Sequence, residues 1–359
     1  MPDVKIRIPG MPGEYPVMIE SGLISRITPC LKPFEGRKIA VITDEHVAPL
    51  YAGQITAAIE AAGAQPFLRI LPAGETTKCM EQLAGIYDFL LDSGITRMDA
   101  LLALGGGVIG DLTGYAAATY LRGVRFIQFP TTLLAQVDSS VGGKVAVNHQ
   151  RGKNLLGAFY QPELVLIDTD TLRTLDQRQV GAGLGEVIKY GCILDAGLFR
   201  QIESCGSREN LAPHYPEIVA RCIELKGQVV FEDPYDRGLR MILNFGHTLA
   251  HAIENAAGYG QVLHGEAVCI GMVAAAAWGT RLGITPADTE ARIRRLLTAY
   301  ALPTEVPAGL TAEKLFPSLA LDKKSIGKDI RVVCLEEIGR ARTVPVPAAK
   351  LKAFMEQSS

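Results

Sequence analysis

The sequence has few of the features that mark secreted, membrane-spanning or nucleic-acid-binding proteins. Its seven cysteines are scattered and never form a Cys-x-x-Cys pair, which is typical of core thiols in a reducing cytoplasm. Aromatic residues make up only 6% of the chain. The 36 basic and 38 acidic side chains leave a formal charge of -2, whereas nucleic-acid binders normally carry a basic excess. We therefore expect no nucleic-acid partner.

Long hydrophobic runs are also missing from the sequence. Residues 1–5 have no basic region that leads into an apolar stretch, so we expect no secretory signal. The longest nearly apolar run, residues 267–279, is shorter than the roughly 18 to 20 residues that span a bilayer, and it predicts a buried helix. We therefore expect a cytoplasmic protein with no membrane partner.

The length of 359 residues predicts two domains, and the first half alternates strand-like with helix-like segments. Helices between strands indicate βαβ units and a mostly parallel sheet. The strand-like runs cover residues 38–43, 67–71, 100–104, 125–129 and 164–167. The helix-like runs between them cover residues 51–62, 79–91 and 109–120.

After about residue 170 the pattern becomes mainly helical. The predicted helices cover residues 178–192, 215–232, 240–257, 266–282 and 286–300. Two further runs, residues 331–335 and 342–346, resemble strands. We predict an α/β domain over residues 1–170 and a mainly α-helical domain over residues 171–359.

A glycine-rich segment joins the strand-like run at 100–104 to the next helix. Gly105, Gly107 and Gly110 satisfy the pattern G-x-G-x-x-G, in which free N–H groups at a helix start meet a pyrophosphate. A tight turn without a ligand would also satisfy it. No acidic residue ends the following strand, but Asp44 follows an earlier strand and could hold a ribose hydroxyl. The pattern predicts a Rossmann-like dinucleotide-binding domain with an unusual binding mode.

Three of the six histidines lie within 18 residues of one another. His247 and His251 are one helical turn apart, with Glu254 near the same stripe, and His264 follows a glycine-bearing loop. Two imidazoles and a carboxylate are a common ligand set for catalytic zinc. All three histidines could coordinate, or one could contact the substrate, and core or capping histidines are the alternative. Glu186, in an apolar helical pattern, is the candidate carboxylate, although Lys189 could also neutralise it.

Further polar residues predict a phosphate site. The segments 138–144 and 152–154 form a polar, glycine-bearing loop, and a lysine pair occupies positions 323 and 324. Arg240 and Asn244 are four residues apart, so a continuous helix would place them on the face of His247 and His251. Cations and amides that converge on one pocket suit a phosphate and several hydroxyls.

Eight motifs in order resemble the 3-dehydroquinate synthase family of sugar phosphate cyclases, over nearly the whole chain. They are Pro-x-Gly-Glu-x-x-Lys at 72–78, Gly-Gly-Gly-Val-Ile-Gly-Asp at 105–111, Pro-Thr-Thr at 130–132, Gln-Val-Asp-Ser-Ser-Val-Gly-Gly-Lys at 136–144, Gly-Lys-Asn at 152–154, Gly-Glu-Val-Ile-Lys at 185–189, Asn-Phe-Gly-His-Thr-x-x-His-Ala-Ile-Glu at 244–254 and His-Gly-Glu-Ala-Val at 264–268. Each motif is weak alone, but the ordered set is specific.

The resemblance implies a phosphate-eliminating lyase of the shikimate pathway, which supplies aromatic amino acid biosynthesis. Such an enzyme converts 3-deoxy-D-arabino-heptulosonate 7-phosphate to 3-dehydroquinate and phosphate. The steps are oxidation by NAD, phosphate elimination, reduction and intramolecular aldol closure. The rival functions are another sugar phosphate cyclase, a metal-dependent alcohol dehydrogenase of the glycerol dehydrogenase type, and an NAD-binding sensor without activity.

The resemblance also implies roles for individual residues. Glu186, His247 and His264 would hold one zinc or cobalt ion per subunit, and Arg122 would reach the neighbouring subunit of a homodimer. The implied NAD contacts are Asp44, Glu75, Lys78, Gly106, Gly107, Val108, Ile109, Gly110, Asp111, Thr131, Thr132, Asp138, Lys144, Lys153, Thr171, Leu172, Arg173 and Thr174. The implied contacts to the phosphorylated sugar-acid substrate are Lys144, Lys153, Asn154, Lys189, Lys226, Arg240, Asn244, His251 and Lys323.

Overall fold

The computed structural model describes residues 3–7, 14–258, 261–321, 325–326 and 329–356, and Lys323 lies outside them. The chain forms two compact units. The first contains Met1–Asp176 and Val219–Pro234, and the second contains Gln177–Ile218 and Tyr235–Ser359. The sequence pattern predicts a single boundary at residue 170, whereas the chain crosses from one unit to the other three times. Among the described residues, no helix is both long enough and apolar enough to cross a bilayer.

A seven-stranded sheet forms the centre of the first unit. Its strands are β1 (Asp3–Arg7), β2 (Glu14–Glu20), β3 (Lys38–Asp44), β4 (Gln65–Leu71), β5 (Ala100–Gly105), β6 (Arg125–Pro130) and β9 (Leu164–Asp168). Their order is β1-β2-β9-β6-β5-β3-β4. All neighbouring pairs are parallel except the antiparallel pair of β1 and β2. The predicted parallel sheet is therefore confirmed.

Helices cover both faces of this sheet because its central strands are apolar on both sides. In β5 every residue is buried. Leu102 and Leu104 point into one core cluster, while Leu101 and Ala103 point into the other. The helices of this unit are α1 (Thr28–Leu31), α2 (Gly53–Ala61), α3 (Met80–Asp92) and α4 (Gly107–Thr119), and it also contains most of α8 (Tyr215–Glu232).

The second unit is mainly helical, as the sequence pattern predicts. Its helices are α5 (Gln177–Ile193), α6 (Ala196–Cys205), α7 (Arg208–Leu211), α9 (His247–Ala257), α10 (His264–Arg281), α11 (Thr289–Ala299), α12 (Ala312–Leu321) and α13 (Ala348–Glu356). Its antiparallel sheet contains β10 (Ser325–Ile326), β11 (Asp329–Glu337) and β12 (Arg340–Pro347) in that order. The two strands predicted at 331–335 and 342–346 are thus confirmed within β11 and β12.

Two local predictions are wrong. The helix predicted over residues 240–257 is a 3-10 segment, Leu239–Asn244, followed by a break and then by α9. The break occurs because Gly246 has a φ of 80°, which ends regular helical geometry. The polar loop predicted between residues 138 and 154 instead leads into a two-stranded hairpin, β7 (Lys144–His149) and β8 (Gly152–Phe159). The largely exposed β8 lacks the alternation that would have indicated a strand.

Candidate functional site

One carboxylate and two imidazoles of the second unit meet at a single point. Glu186 lies in α5, while His247 and His264 are the first residues of α9 and α10. The Nε2 atoms of both histidines lie 3.5 Å from Oε1 of Glu186. One ligand atom from each of the three side chains lies within 4.8 Å of the others. The structure thus brings together the three residues that the resemblance implies as metal ligands.

The donor set and its spacing fit a divalent cation. Zinc–nitrogen and zinc–oxygen bonds of about 2.0–2.2 Å place tetrahedral ligand atoms about 3.4 Å apart, close to the 3.5 Å found here. Glu186 is fully buried, and neither of its carboxylate oxygens has a hydrogen bond of standard geometry among the described residues. A buried carboxylate without hydrogen bonds is costly unless a cation compensates it. Lys189 supplies part of that compensation as an ion pair with Glu186.

The outer nitrogen of each candidate histidine ligand is already engaged. His247 Nδ1 lies 3.1 Å from the carbonyl oxygen of Phe245, and His264 Nδ1 lies 3.0 Å from Oε2 of Glu254. Such partners fix the ring orientation and direct Nε2 toward the Glu186 carboxylate. Helical spacing in the sequence places Glu254 near the same stripe as His247. Its contact with His264 was not predictable from spacing, because His264 belongs to another helix.

The charges in this cluster perturb one another. Burial raises the pKa of Glu186, but Lys189 and His264 together lower it to about 2, so the carboxylate is ionised at neutral pH. Burial lowers the pKa of His264, but its contacts with Glu186 and Glu254 raise it to about 10. A cation that binds at Nε2 must therefore displace a proton, as is usual when a metal binds histidine.

Close contacts at glycines bring the three helices together. A Cβ atom on Gly271 would lie 1.9 Å from the carbonyl oxygen of Gly246, so α10 and the start of α9 touch through their backbones. A Cβ atom on Gly265 would lie 1.8 Å from the carbonyl oxygen of Ala182, so α10 also touches α5. A Cβ atom on Gly185 would likewise lie 2.7 Å from the carbonyl oxygen of Gly265. These contacts explain how residues far apart in sequence meet.

His251 lies beside the cluster but outside the ligand group. Its ring centroid is 5.6 Å from that of His247 and 6.2 Å from that of His264. Among the described residues, the group that could hold a metal contains only Glu186, His247 and His264. The geometry therefore favours the interpretation in which His247 and His264 bind the metal and His251 has another role.

Three further substrate candidates of the second unit are Lys189, Arg240 and Asn244. Lys189 is buried and pairs with Glu186. Arg240 is only 3% exposed, and the amide nitrogen of Asn244 donates to the carbonyl oxygen of Met241 at 3.0 Å. Both lie in the 3-10 segment before α9, so the continuous helical face predicted for them with His247 is wrong.

The candidate dinucleotide contacts of the first unit follow the carboxyl ends of neighbouring parallel strands. Asp44 ends β3, Gly105 ends β5, and Thr131 follows β6. These strands are adjacent, in the order β6-β5-β3. Asp44 Oδ1 accepts hydrogen bonds from two N–H groups of the following turn, at 2.9 and 3.0 Å. Carboxyl ends of parallel strands are where open α/β sheets bind ligands.

The start of α4 is shaped for close backbone approach. Gly106 caps this helix, and no side chain forms a capping hydrogen bond there. A Cβ atom on Gly106 would lie 3.0 Å from the Thr132 side chain, and one on Gly107 would lie 3.1 Å from that of Ser139. The uncapped first turn leaves the N–H groups of Gly107, Val108 and Ile109 without an acceptor inside the helix, whereas the Gly110 N–H donates to the Gly106 carbonyl oxygen at 3.0 Å.

A buried lysine connects two groups of predicted contacts. The ammonium of Lys78, which is 5% exposed, lies 2.5 Å from Asp111 Oδ2 and 2.5 Å from Asn154 Oδ1. Burial raises the pKa of Asp111, although the charge of Lys78 opposes that shift. Nearby in sequence, Glu75 accepts a 2.7 Å hydrogen bond from the Asn148 amide. The family resemblance implies a substrate contact for Asn154 and a dinucleotide contact for Lys78, and in the structure these two side chains are hydrogen-bonded to each other.

A second ionic contact joins the short π-helical segment Ala135–Ser139, which follows β6, to α8. Lys226, which is largely buried, forms an ion pair with Asp138 and also donates to its carbonyl oxygen at 2.6 Å. Lys144 is exposed and Lys153 is half-buried. Among the predicted substrate and NAD contacts of the first unit, two ion pairs are present, Lys78–Asp111 and Lys226–Asp138. Lys144 and Lys153 lie on the β7–β8 hairpin.

The segment after β9 is ordered by its own hydrogen bonds. The Thr171 hydroxyl donates to the carbonyl oxygen of Asp168 at 2.7 Å and accepts from the amide of Gln136 at 3.0 Å. Arg173 pairs with Asp170 on the surface, and Thr174 contacts the hydroxyl of Tyr51. Leu172 is buried in the same 3-10 segment. These contacts fix the segment that contains Thr171, Leu172, Arg173 and Thr174, the four predicted NAD contacts after β9.

Arg122 lies on an exposed and strained corner. Leu121 and Arg122 have φ values of 50° and 68°, which non-glycine residues rarely adopt, and Gly123 follows with 122°. The Nε atom of Arg97 donates to the Leu121 carbonyl oxygen at 2.9 Å and helps hold the corner. Such strain persists only where surrounding contacts impose it, and it is concentrated at functional positions.

Comparison with known proteins identifies the family. Residues 68–182 match the model of the 3-dehydroquinate synthase N-terminal region, and residues 183–325 match that of the C-terminal region. A 3-dehydroquinate synthase of Bordetella pertussis is 47% identical over 99% of both chains. Another, from Desulforamulus reducens, is 49% identical over 87% of this chain and 88% of that protein.

Solved structures agree with the sequence comparison. A 2-deoxy-scyllo-inosose synthase complexed with carbaglucose-6-phosphate, NAD+ and Co2+ has a TM-score of 0.91 and 25% identity, covering 99% of this chain and 100% of that one. A 2-epi-5-epi-valiolone synthase from Streptomyces hygroscopicus subsp. jinggangensis 5008, with NAD+ and Zn2+ bound, has a TM-score of 0.87 and 28% identity, covering 98% of each chain. The predicted fold class and family are confirmed, and this chain belongs to the 3-dehydroquinate synthase family.

Proposed function

We propose that this protein converts 3-deoxy-D-arabino-heptulosonate 7-phosphate to 3-dehydroquinate and phosphate. The observation that carries the proposal is the cluster of Glu186, His247 and His264, whose spacing fits a divalent cation in a member of this family. Relatives that are 42–49% identical over most of their length are 3-dehydroquinate synthases. This function places the enzyme in the shikimate pathway as a phosphate-eliminating lyase.

The cofactors we assign are NAD and one zinc or cobalt ion per subunit. When bound, NAD supplies a reversible hydride acceptor and the cation supplies a Lewis acid for a substrate oxygen. Glu186, His247 and His264 would hold the cation. The first turn of α4 would hold the pyrophosphate through its N–H groups, and Asp44 would accept a hydrogen bond from a ribose hydroxyl.

The protein's own part in the reaction is mainly orientation and charge stabilisation. Recognition of the substrate's phosphate and hydroxyl groups is assigned to side chains that offer a positive charge, an amide or an imidazole. These are Lys144, Lys153, Asn154 and Lys226 in the first unit and Lys189, Arg240, Asn244 and His251 in the second, together with Lys323 outside the described residues. The leaving phosphate can accept the proton that elimination releases, so the proposal requires no dedicated side-chain base.

We further propose a cytoplasmic homodimer in which Arg122 contributes to the neighbouring subunit. The strained corner displays both Arg122 and Leu121, and the Leu121 side chain is 39% exposed. The hairpin strand β8 also exposes apolar side chains at Leu155, Leu156 and Phe159. Exposed apolar side chains grouped on one element commonly mark a contact surface between subunits.

Arg240→Ala is expected to raise KM for the sugar phosphate about 10- to 100-fold, because a charge-assisted hydrogen bond to phosphate contributes about 1.5–3 kcal/mol. Arg240 is only 3% exposed, so water cannot readily replace its contact with the phosphate. Steady-state kinetics with zinc and NAD saturating would measure the change. Arg237→Ala is the matched control, since Arg237 is exposed and three residues away. An unaltered KM in Arg240→Ala would remove Arg240 from the substrate site.

The function is tested by offering the purified protein three substrates in turn with NAD and zinc. These are 3-deoxy-D-arabino-heptulosonate 7-phosphate, sedoheptulose 7-phosphate and glucose 6-phosphate. We expect phosphate release from the first alone, with no accumulation of NADH. Release from either of the others would indicate a different cyclase. If an alcohol such as glycerol is offered instead, NADH formed in proportion to it would indicate a dehydrogenase. Binding of NAD without turnover of any substrate would indicate a sensor.

A further inference from the structure

Glu254 is a buried carboxylate for which the proposed reaction assigns no role. It is 6% exposed and lies in α9, seven residues after His247 and therefore on the same helical face. Its Oε2 atom lies 3.0 Å from Nδ1 of His264, at the start of α10. We propose that Glu254 is a positioning residue that sets the metal affinity of the Glu186–His247–His264 centre by orienting and polarising His264.

The contact determines which nitrogen of His264 is available. A neutral imidazole carries its proton on one nitrogen and offers a lone pair on the other. The Glu254 carboxylate can only accept, so it retains the proton on Nδ1 and leaves the lone pair on Nε2. That Nε2 atom lies 3.5 Å from Oε1 of Glu186, on the side where the cation would bind. A carboxylate behind the ring also raises the basicity of the ligand nitrogen.

The other histidine ligand contacts a backbone oxygen through its Nδ1 atom. His247 Nδ1 lies 3.1 Å from the carbonyl oxygen of Phe245, a neutral acceptor. Glu254 is a charged partner behind a ligand ring, so removal of its charge should change the metal centre without removing any ligand. Because hydrogen bonds to charged groups are stronger than neutral ones, the effect of the charge should be measurable.

The position of Glu254 is fixed by the packing of α9 against α10. The backbones of these helices touch where Gly271 faces Gly246, since a Cβ atom on Gly271 would lie 1.9 Å from the Gly246 carbonyl oxygen. This close approach holds the first turn of α9 against α10. The negative charge of a buried carboxylate requires compensation. A cation bound at Nε2 of His264, on the opposite side of the ring from Glu254, would supply it. The proposal rests on the metal role assigned above.

The test compares Glu254→Gln and Glu254→Ala with the unaltered protein after removal of metal by a chelator. Zinc affinity is measured by competition with a chromophoric chelator. We expect roughly 10- to 100-fold weaker binding for Glu254→Ala, the usual effect of losing such a partner. Glu254→Gln should lose less, because its amide oxygen can still accept the Nδ1 proton. The absorption spectrum of the cobalt-loaded protein should shift in both variants, because the ligand field of His264 changes.

Glu266→Gln is the matched control. Glu266 lies in the first turn of the same helix as His264, but it bonds Arg178 and the Leu263 N–H instead of a histidine. Unchanged zinc affinity and an unchanged cobalt spectrum in Glu254→Gln and Glu254→Ala would overturn the proposal. An equal loss in Glu266→Gln would also overturn it, by assigning the effect to the start of α10. If Glu254→Ala does not fold, the nearly isosteric Glu254→Gln decides. Failure of phosphate release by the unaltered protein would instead overturn the proposed function.

Discussion

Replacement of His247 with alanine is expected to abolish zinc binding and to reduce turnover by at least about 10³-fold. Lewis-acid stabilisation by a metal contributes several kcal/mol to a transition state, and each 1.4 kcal/mol corresponds to roughly a factor of ten in rate. His247 is 8% exposed, and its Nε2 atom faces the Glu186 carboxylate at 3.5 Å. Alanine leaves only two ligands, too few for a stable site. Metal content after dialysis and phosphate release with saturating NAD would measure both losses.

His214 provides the control for this experiment. It lies in a short 3-10 segment of the same unit, exposed to solvent and 3.9 Å from the exposed Glu217. His214→Ala should keep the zinc and the rate of the unaltered protein. A His247→Ala variant that retained a full equivalent of zinc and full activity would show that His247 is not a ligand.

Gly265→Ala is expected to destabilise the fold and weaken metal binding at the same time. The added Cβ atom would lie 1.8 Å from the Ala182 carbonyl oxygen, a backbone atom that cannot rotate away. Helices α5 and α10 would have to separate, which would move His264 away from Glu186. Overpacking of this kind costs about 1–3 kcal/mol and occasionally more. Chemical denaturation of the metal-free protein would measure the stability, and chelator competition would measure the zinc affinity.

Gly53→Ala is the corresponding control, because a Cβ atom there would meet nothing within 4 Å and the residue lies in the first turn of α2. Its stability should change little, since alanine favours a helix more than glycine does. Unchanged denaturation and unchanged zinc affinity in Gly265→Ala would mean that the backbone contact between α5 and α10 does not position the cluster.

The first unit was largely predictable because its central strands β3, β5, β6 and β9 are buried on both faces. A strand such as β5, with every residue buried, must be a continuous apolar run, and the glycines after it indicate a tight turn into a helix. Strands β1 and β2 were missed. β1 is an edge strand, and β2, which lies between β1 and β9, contains Pro16, a residue that argues against an interior strand. Pro16 is tolerated because β2 pairs with β9 only from Val17 onward.

The metal cluster was predictable in composition but not in geometry. Spacing alone indicated that His247 and His251 share a helical face, and the separation of His251 from the ligand group depends on how three helices pack. The break at Gly246 was also missed, because the pattern of apolar residues continues through it. Contacts between distant segments, such as Glu254 with His264 or Lys78 with Asn154, leave no signal in local periodicity.

The central claim is that Glu186, His247 and His264 together hold one divalent cation. Anomalous diffraction at the zinc absorption edge, from crystals grown with zinc and NAD, tests it most directly. We expect one strong anomalous peak per subunit within bonding distance of all three side chains. A peak bound by other residues, or no peak at this cluster in protein that releases phosphate, would contradict the account.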